Sequence, residues 1–305
     1  MIADRPTLGI ALMLGFCILA PLGDAIAKLL GDTVPLGQLV LLRFAVQSAL
    51  LLPLVWASAR PIRLRGRVLR LAWQRTVLHI LGIGGMFTAL QYLPLADAIA
   101  IVFVMPFVML LLGHYVLGEE VGLRRAIACA VGFAGTLMVV QPSFIDVGWI
   151  AFLPMAVAVN FALFMLTTRQ IARETDPIAL QALSGLMACG LLVPILIVGS
   201  LFDMPALRLA PVLGDWPLLF ALGALGTFAH LMMTWSLRFA PSATLAPMQY
   251  LEIPFATLIG WWLFAELPDR IAAIGIAITV GAGVYVIARE QAIARRLARS
   301  TPPPV

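Results

Sequence analysis

The feature that most constrains this chain is the spacing of its charges: long apolar blocks recur with only short polar punctuation between them. A hydrocarbon core about 30 Å thick needs roughly 20 apolar residues to cross as a helix. Ten blocks meet that length, near Leu8–Leu30, Leu36–Ser58, Ala72–Tyr92, Ala96–Leu117, Arg125–Val140, Gly148–Thr168, Ile178–Leu201, Pro217–Leu237, Ala243–Phe264 and Ile271–Ala288. Of the 305 residues, 62% are hydrophobic and 11% charged, against about 25% charged in soluble domains. The expected fold is an all-α integral membrane protein of ten transmembrane helices.

The basic residues set the orientation. With a cytoplasmic N-terminus, Arg5, the Arg60 to Arg75 cluster, Arg124, Arg125, Arg169, Arg173, Arg238 and the arginines from Arg289 to Arg299 all fall inside. Only Arg208 and Arg270 fall outside, while Lys28 and Arg43 lie within spans. That bias predicts an even number of crossings with both termini cytoplasmic, in the cell's inner membrane. The formal charge of +5 comes from these loop clusters, so nucleic acid is not an expected partner; the lipid bilayer is.

Short connections exclude several functions. None exceeds about 15 residues, too few for an extramembrane catalytic or nucleotide-binding domain. The sole lysine, Lys28, follows Ala27 and forms no phosphate-binding Gly-Lys-Ser/Thr turn. His79, His114 and His230 lie on separate spans without a His-Glu-x-x-His pair, and Cys17, Cys129 and Cys189 read as small hydrophobes in apolar spans. No metal, cofactor or enzymatic activity is expected. The first span is longer than a signal-peptide core and runs directly into a second, so it reads as retained.

An internal repeat organises the chain. At a shift of 147 residues Tyr92 aligns with Phe239, Pro94 with Pro241, Ala96 with Ala243, Gly113 with Gly260 and Glu119 with Glu266. The expected division is a five-helix unit over 1–142, a second over 143–290, and a basic, proline-ended cytoplasmic tail over 291–305. Because five is odd, the second unit enters the membrane inverted, an arrangement used by secondary transporters with a site at the repeat interface. Pro106, Pro247 and Pro254 each remove a backbone donor within a span and read either as hinges or as static kinks.

The run from Ala89 to Ala98, followed by Pro106, Leu117-Gly118-Glu119 and a glycine-rich fifth span ending Gln141-Pro142, resembles the EamA-type repeat of the drug/metabolite transporter superfamily. The second half, with Ala246-Pro247-Met248-Gln249-Tyr250-Leu251-Glu252 and Phe264-Ala265-Glu266-Leu267-Pro268-Asp269, resembles S-adenosylmethionine uptake carriers and related metabolite carriers. The resemblance implies ten helices, a central cavity between the halves, and secondary transport of a small organic solute.

Polar residues at lipid depth are the candidate site, because charge there needs a partner or a wet cavity. Glu252 falls near the middle of the ninth span, with Gln249 on nearly the same face and Tyr250 beside it. A carboxyl at that depth can exchange a proton, bind a cationic group, or tie two helices together. Asp24 and Arg43 sit at similar depth in spans one and two and read either as a permanent salt bridge or as a vestibule pair for a zwitterion. Lys28, one turn from Asp24, reads as snorkelling to the interface. His79, His230, Asn160 and Trp235 complete the candidate substrate-binding set. Stripes at Ala128, Gly132 and Thr136 and at Ala277 and Gly281 read as internal packing, with homodimerisation as the lesser alternative.

The expected function is alternating-access transport of a small polar or zwitterionic metabolite, an amino acid or an S-adenosylmethionine-like or vitamin-like solute, with proton or exchange coupling. The competing reading is a non-transporting scaffold or receptor whose polar residues are helix glue.

Overall fold

The computed structural model describes residues 5–58, 65–117, 123–212, 214–240 and 245–300. They form helices joined by short turns, with no strand among the described residues. The helices are α1 (Pro6–Leu30), α2 (Leu36–Ala57), α3 (Gly66–Leu90), α4 (Leu95–Val102), α5 (Met105–Leu117), α6 (Leu123–Val147), α7 (Leu153–Ile171), α8 (Pro177–Leu201), α9 (Trp216–Phe239), α10 (Glu252–Phe264) and α11 (Arg270–Ser300).

Among the described residues, five stretches are long and apolar enough to cross a membrane by length and composition: Thr7–Leu30, Leu36–Ala57, Ser143–Ile171, Pro177–Leu201 and Trp216–Phe239. Two of the other expected spans are broken. The fourth divides into α4 and α5 at Phe103 and Val104, just before Pro106, which has no amide hydrogen to donate back to the Val102 carbonyl. The ninth begins as a 3-10 turn over Ala246–Leu251 and becomes α-helical only at Glu252. The side chains of Pro106 and Pro247 lie outside the described residues; Pro254 is the third residue of α10 and half-buried. The third span is long enough but carries arginines in its first turns. Beyond the tenth, α11 continues as helix to Ser300.

Packing is reciprocal between the two halves. Helix α1 packs along α9, and α3 along α7; α2 pairs with α8, α4 with α10, and α6 with α11. Between α6 and α11 the backbones nearly touch: a Cβ at Gly135 would sit 2.7 Å from the Gly275 carbonyl oxygen. Thr279 Oγ1 donates to the carbonyls of Gly275, at 2.8 Å, and Gly132, at 3.2 Å. The stripe on α11 is therefore Gly275, Thr279 and Gly283. Ala277 and Gly281, expected in that role, are exposed, because the contact face of α11 is rotated by two positions.

Most of the large hydrophobic side chains exposed on this surface are of the kind lipid covers: Trp56, Leu81, Leu201, Trp216, Phe220 and Trp262 are examples. Polar side chains are buried inward instead, among them Arg43, Gln47, Arg75, Thr168 and Gln181. This inversion of the soluble pattern is what a chain dissolved in hydrocarbon requires.

Candidate functional site

A cavity enclosing about 830 Å³ of empty space, part of it open to the outside, lies among the helices, walled by α1, α2, α3, α4, α7, α9 and α10 together with the break between α4 and α5. Its polar lining is Asp24, Arg43, His79, His230 and Glu252; the rest is apolar, with Phe16, Phe87, Phe103 and Phe161 prominent.

The two carboxyls are brought to this cavity in different ways. Asp24 sits within continuous helix, two turns after Phe16 on α1. Glu252 stands at the first residue of α10, where the 3-10 turn gives way to α-helix. Both are half-buried, and neither has a hydrogen bond or an ion pair within 4 Å among the described residues. The salt bridge considered for Asp24 and Arg43 is thus not formed. The reason is geometric: Arg43 turns toward α9, whose Gly226 leaves room for it; a Cβ there would lie 2.9 Å from Arg43 Nε.

Arg43 is 2% exposed. It donates to Gln47 Oε1 at 3.3 Å and to the Gly226 carbonyl at 3.3 Å, and its Nη2 lies 3.0 Å from His230 Nδ1. His79, also 2% exposed, is packed between Phe44, Phe164 and His230, with ring centroids 5.0, 4.6 and 4.4 Å away. Both of its ring nitrogens lack a hydrogen-bond partner. An unsatisfied buried imidazole costs free energy, and His79 is one of the residues lining the cavity.

The remaining candidates lie elsewhere. Gln249 is fully buried against Met165, with Nε2 3.5 Å from its sulfur. Tyr250 stacks on Phe103 and lies against Gly283 of α11. Asn160 donates to the Leu78 carbonyl at 2.7 Å, joining α7 to α3. Trp235 packs beside Leu51 and Leu231. None of these four lines the cavity; Gln249 is taken up by Met165, and Tyr250 by Phe103 and Gly283.

Two features were not legible in the sequence. Arg75, grouped with the loop arginines, is fully buried. It donates to Gln181 Oε1 at 2.7 Å, Thr168 Oγ1 at 2.9 Å, Ser184 Oγ at 3.0 Å and Thr234 Oγ1 at 3.4 Å, and lies over the Phe164 ring. Gln47 Nε2 donates to the Gln181 carbonyl at 2.7 Å, so Arg43, Gln47, Gln181 and Arg75 form one connected network across α2, α3 and α8. At the opposite end of the bundle, Lys28 Nζ is 2.6 Å from Glu266 Oε1 and donates to the Leu93 carbonyl at 3.0 Å. Glu266 Oε2 accepts from the Leu95 amide at 3.1 Å. Lys28 therefore clasps the two halves together. Its only sequence signal is that Glu266 repeats Glu119.

The chain matches the EamA-like transporter family twice, over residues 7–141 and 148–289. A riboflavin transporter of Rhizobium johnstonii is 28% identical over 71% of this chain and 69% of its own length. An S-adenosylmethionine uptake transporter of Rickettsia bellii is 23% identical over 93% and 95% of the two chains, and a pseudopaline exporter of Pseudomonas aeruginosa 26% identical over 89% and 90%. A crystal structure superposes with a TM-score of 0.66 at 20% identity, covering 97% of this chain and 98% of the other, which shows a shared fold. Two family matches over nearly the whole length, together with the apolar helices around a polar-lined cavity, lead to one assignment: this chain belongs to the EamA-like transporter family, multi-pass proteins of the inner membrane within the drug/metabolite transporter superfamily.

Proposed function

We propose that this protein is a secondary carrier, and not an enzyme, which moves a small polar or zwitterionic organic solute by alternating access. In this reading ten spans are arranged as two inverted units, 1–142 and 143–290, with both termini cytoplasmic. The solute occupies the central cavity, contacting Asp24, Glu252, His79 and His230, and transport is coupled to a proton or to counter-solute through Glu252. Arg43 orients His230, while Gln249, Tyr250, Asn160 and Trp235 support the helices that carry the site. The breaks before Pro106 and ahead of Pro254 serve as the points at which spans four and nine bend.

The observation that carries this reading is a cavity shared by helices of both halves, into which Asp24 and Glu252 project without partners. A scaffold would not keep two half-buried carboxyls unpaired, since charge at this depth is retained where it meets water or ligand. The reciprocal packing of α1 with α9 and α3 with α7 supports the inverted arrangement, because exchange of two equivalent halves gives two access states around one site. The relatives named for riboflavin, S-adenosylmethionine and pseudopaline bring organic metabolites into the range of solutes to test.

The test is counterflow in liposomes reconstituted with the purified chain. Saturable exchange of a labelled solute from the amino-acid, nucleoside-like or vitamin classes is expected, with a response to an imposed pH gradient that Glu252→Gln abolishes. No saturable exchange across the panel, with Glu252→Gln altering stability alone, would replace the carrier with the scaffold. An unchanged pH response in Glu252→Gln would remove the coupling role.

A further inference from the structure

We infer that the solute recognised by this cavity is a planar organic cation, its charged group held between Asp24 and Glu252 and its ring among Phe16, Phe87, Phe103 and Phe161. The inference rests on the carrier reading and narrows it to one chemical class.

Besides two imidazoles, the cavity is lined by three ionisable side chains, Asp24, Arg43 and Glu252, with Arg75 lying behind Arg43 in the same hydrogen-bonded network. Arg43 is 2% exposed and Arg75 is fully buried, with guanidiniums engaged by Gln47, Gly226 and His230 in one case and by Gln181, Thr168, Ser184 and Thr234 in the other. Neither presents a free fork to a ligand carboxylate or phosphate, which is the geometry that makes arginine an anion receptor. Asp24 and Glu252 are the reverse: half-buried, lining the cavity, and unpartnered. They also lie within electrostatic reach of each other. Two such carboxyls in a low-dielectric wall gain most from a cation placed between them.

The rest of the wall fits the same ligand. Phenylalanine faces carry partial negative charge and attract a cationic ring within about 6 Å, more strongly where water is excluded. The polar groups left over are imidazoles. His79 has two unmet ring nitrogens, and His230 Nδ1 lies 3.0 Å from both Arg43 Nη2 and the Gly226 carbonyl oxygen. These groups suit a neutral amide or ring heteroatom on the ligand and supply no full charge to balance a carboxylate.

Pyridines bearing a carboxamide or carboxylate at position 3 vary charge at nearly constant size. The probes are 1-methylnicotinamide as cation, nicotinamide as its neutral counterpart, nicotinate as anion and N-methylnicotinate as zwitterion. Each is titrated against the full chain in lipid nanodiscs while thermal unfolding is followed, since a ligand that binds the folded state raises the midpoint. The cation is expected to bind at least about tenfold more tightly than nicotinamide, with nicotinate silent and the zwitterion weaker than the cation. Asp24→Asn and Glu252→Gln should each erase the preference while retaining a cooperative unliganded transition. If neither variant folds, the ordering of the four probes on the unaltered chain decides alone. Equal shifts from cation and neutral probe, a larger shift from anion or zwitterion, or no shift from the cation would overturn the inference. Saturable counterflow of a neutral or anionic solute would do the same while leaving the carrier intact.

Discussion

Arg43 Nη2 and His230 Nδ1 are 3.0 Å apart, a contact that competes with the Gly226 carbonyl for that nitrogen. A guanidinium only donates and a carbonyl only accepts, so the first contact favours the proton on Nε2 and the second on Nδ1. The Gly226 carbonyl, also 3.0 Å from Nδ1, is satisfied by Arg43 at 3.3 Å. The expected outcome is an Nε2–H tautomer in the resting protein, read by long-range proton–nitrogen correlation on histidine-labelled chain. Arg43→Met removes the competing donor, and Nδ1–H should then form toward Gly226. An Nδ1–H signal in the unaltered protein would contradict the assignment.

The Arg75 network is expected to hold stability. Its guanidinium joins α3 to α7, α8 and α9 through neutral acceptors, and a hydrogen bond to a charged group contributes about 1.5–3 kcal/mol net. Arg75→Ala should destabilise the folded protein by about 2–4 kcal/mol, and Arg75→Lys by less, because lysine keeps the charge without the fork. Detergent thermal denaturation measures both; a transition unmoved in Arg75→Ala would show the network to be energetically idle.

At the Lys28 end, a double-mutant cycle on Lys28→Ala and Glu266→Ala should return a coupling of about 0.5–1 kcal/mol, since both side chains are partly solvated. Charge exchange, Lys28→Glu with Glu266→Lys, should recover only part of the loss. Both side chains also bind backbone in fixed roles, Lys28 as donor to Leu93 and Glu266 as acceptor from Leu95, and those roles do not survive the swap. Full recovery would mean that the ion pair acts alone.

Close approach of α6 and α11 gives a fourth expectation. Gly135→Ala places a methyl 2.7 Å from a backbone carbonyl that cannot rotate away, and overpacking of this kind costs about 1–3 kcal/mol. Gly281→Ala, with nothing within 4 Å of the added carbon, should be neutral or slightly stabilising. The pair of melting temperatures tests whether the α11 contact face runs through Gly275 and Thr279.

Much of the site was legible because charge in an apolar span is rare. Asp24, Arg43, His79, His230 and Glu252 all meet at the cavity, and each stands out as a polar interruption in a hydrophobic block. Gln249 and Tyr250 were grouped with Glu252 by their nearness along the span, but Met165 holds the one and Phe103 and Gly283 the other, contacts that only tertiary packing sets. Arg75 was hidden for the opposite reason: a run of arginines ahead of a span looks like a cytoplasmic loop until the helix is seen to begin at Gly66 and carry its third arginine inward.

The sequence alone determined that this chain dissolves in a bilayer, that its two halves repeat, and which few polar residues must find shelter, since each follows from the free energy of moving one residue or one block out of water. Which residues share that shelter is decided only by tertiary structure. Asp24 and Glu252 are 228 positions apart and reach one cavity because α1 packs along α9 and against α10. Arg43 leaves Asp24 unpaired because a glycine 183 residues away gives it a place on α9. Partnership depends on helix rotation and close packing between distant segments, and local composition carries no record of either.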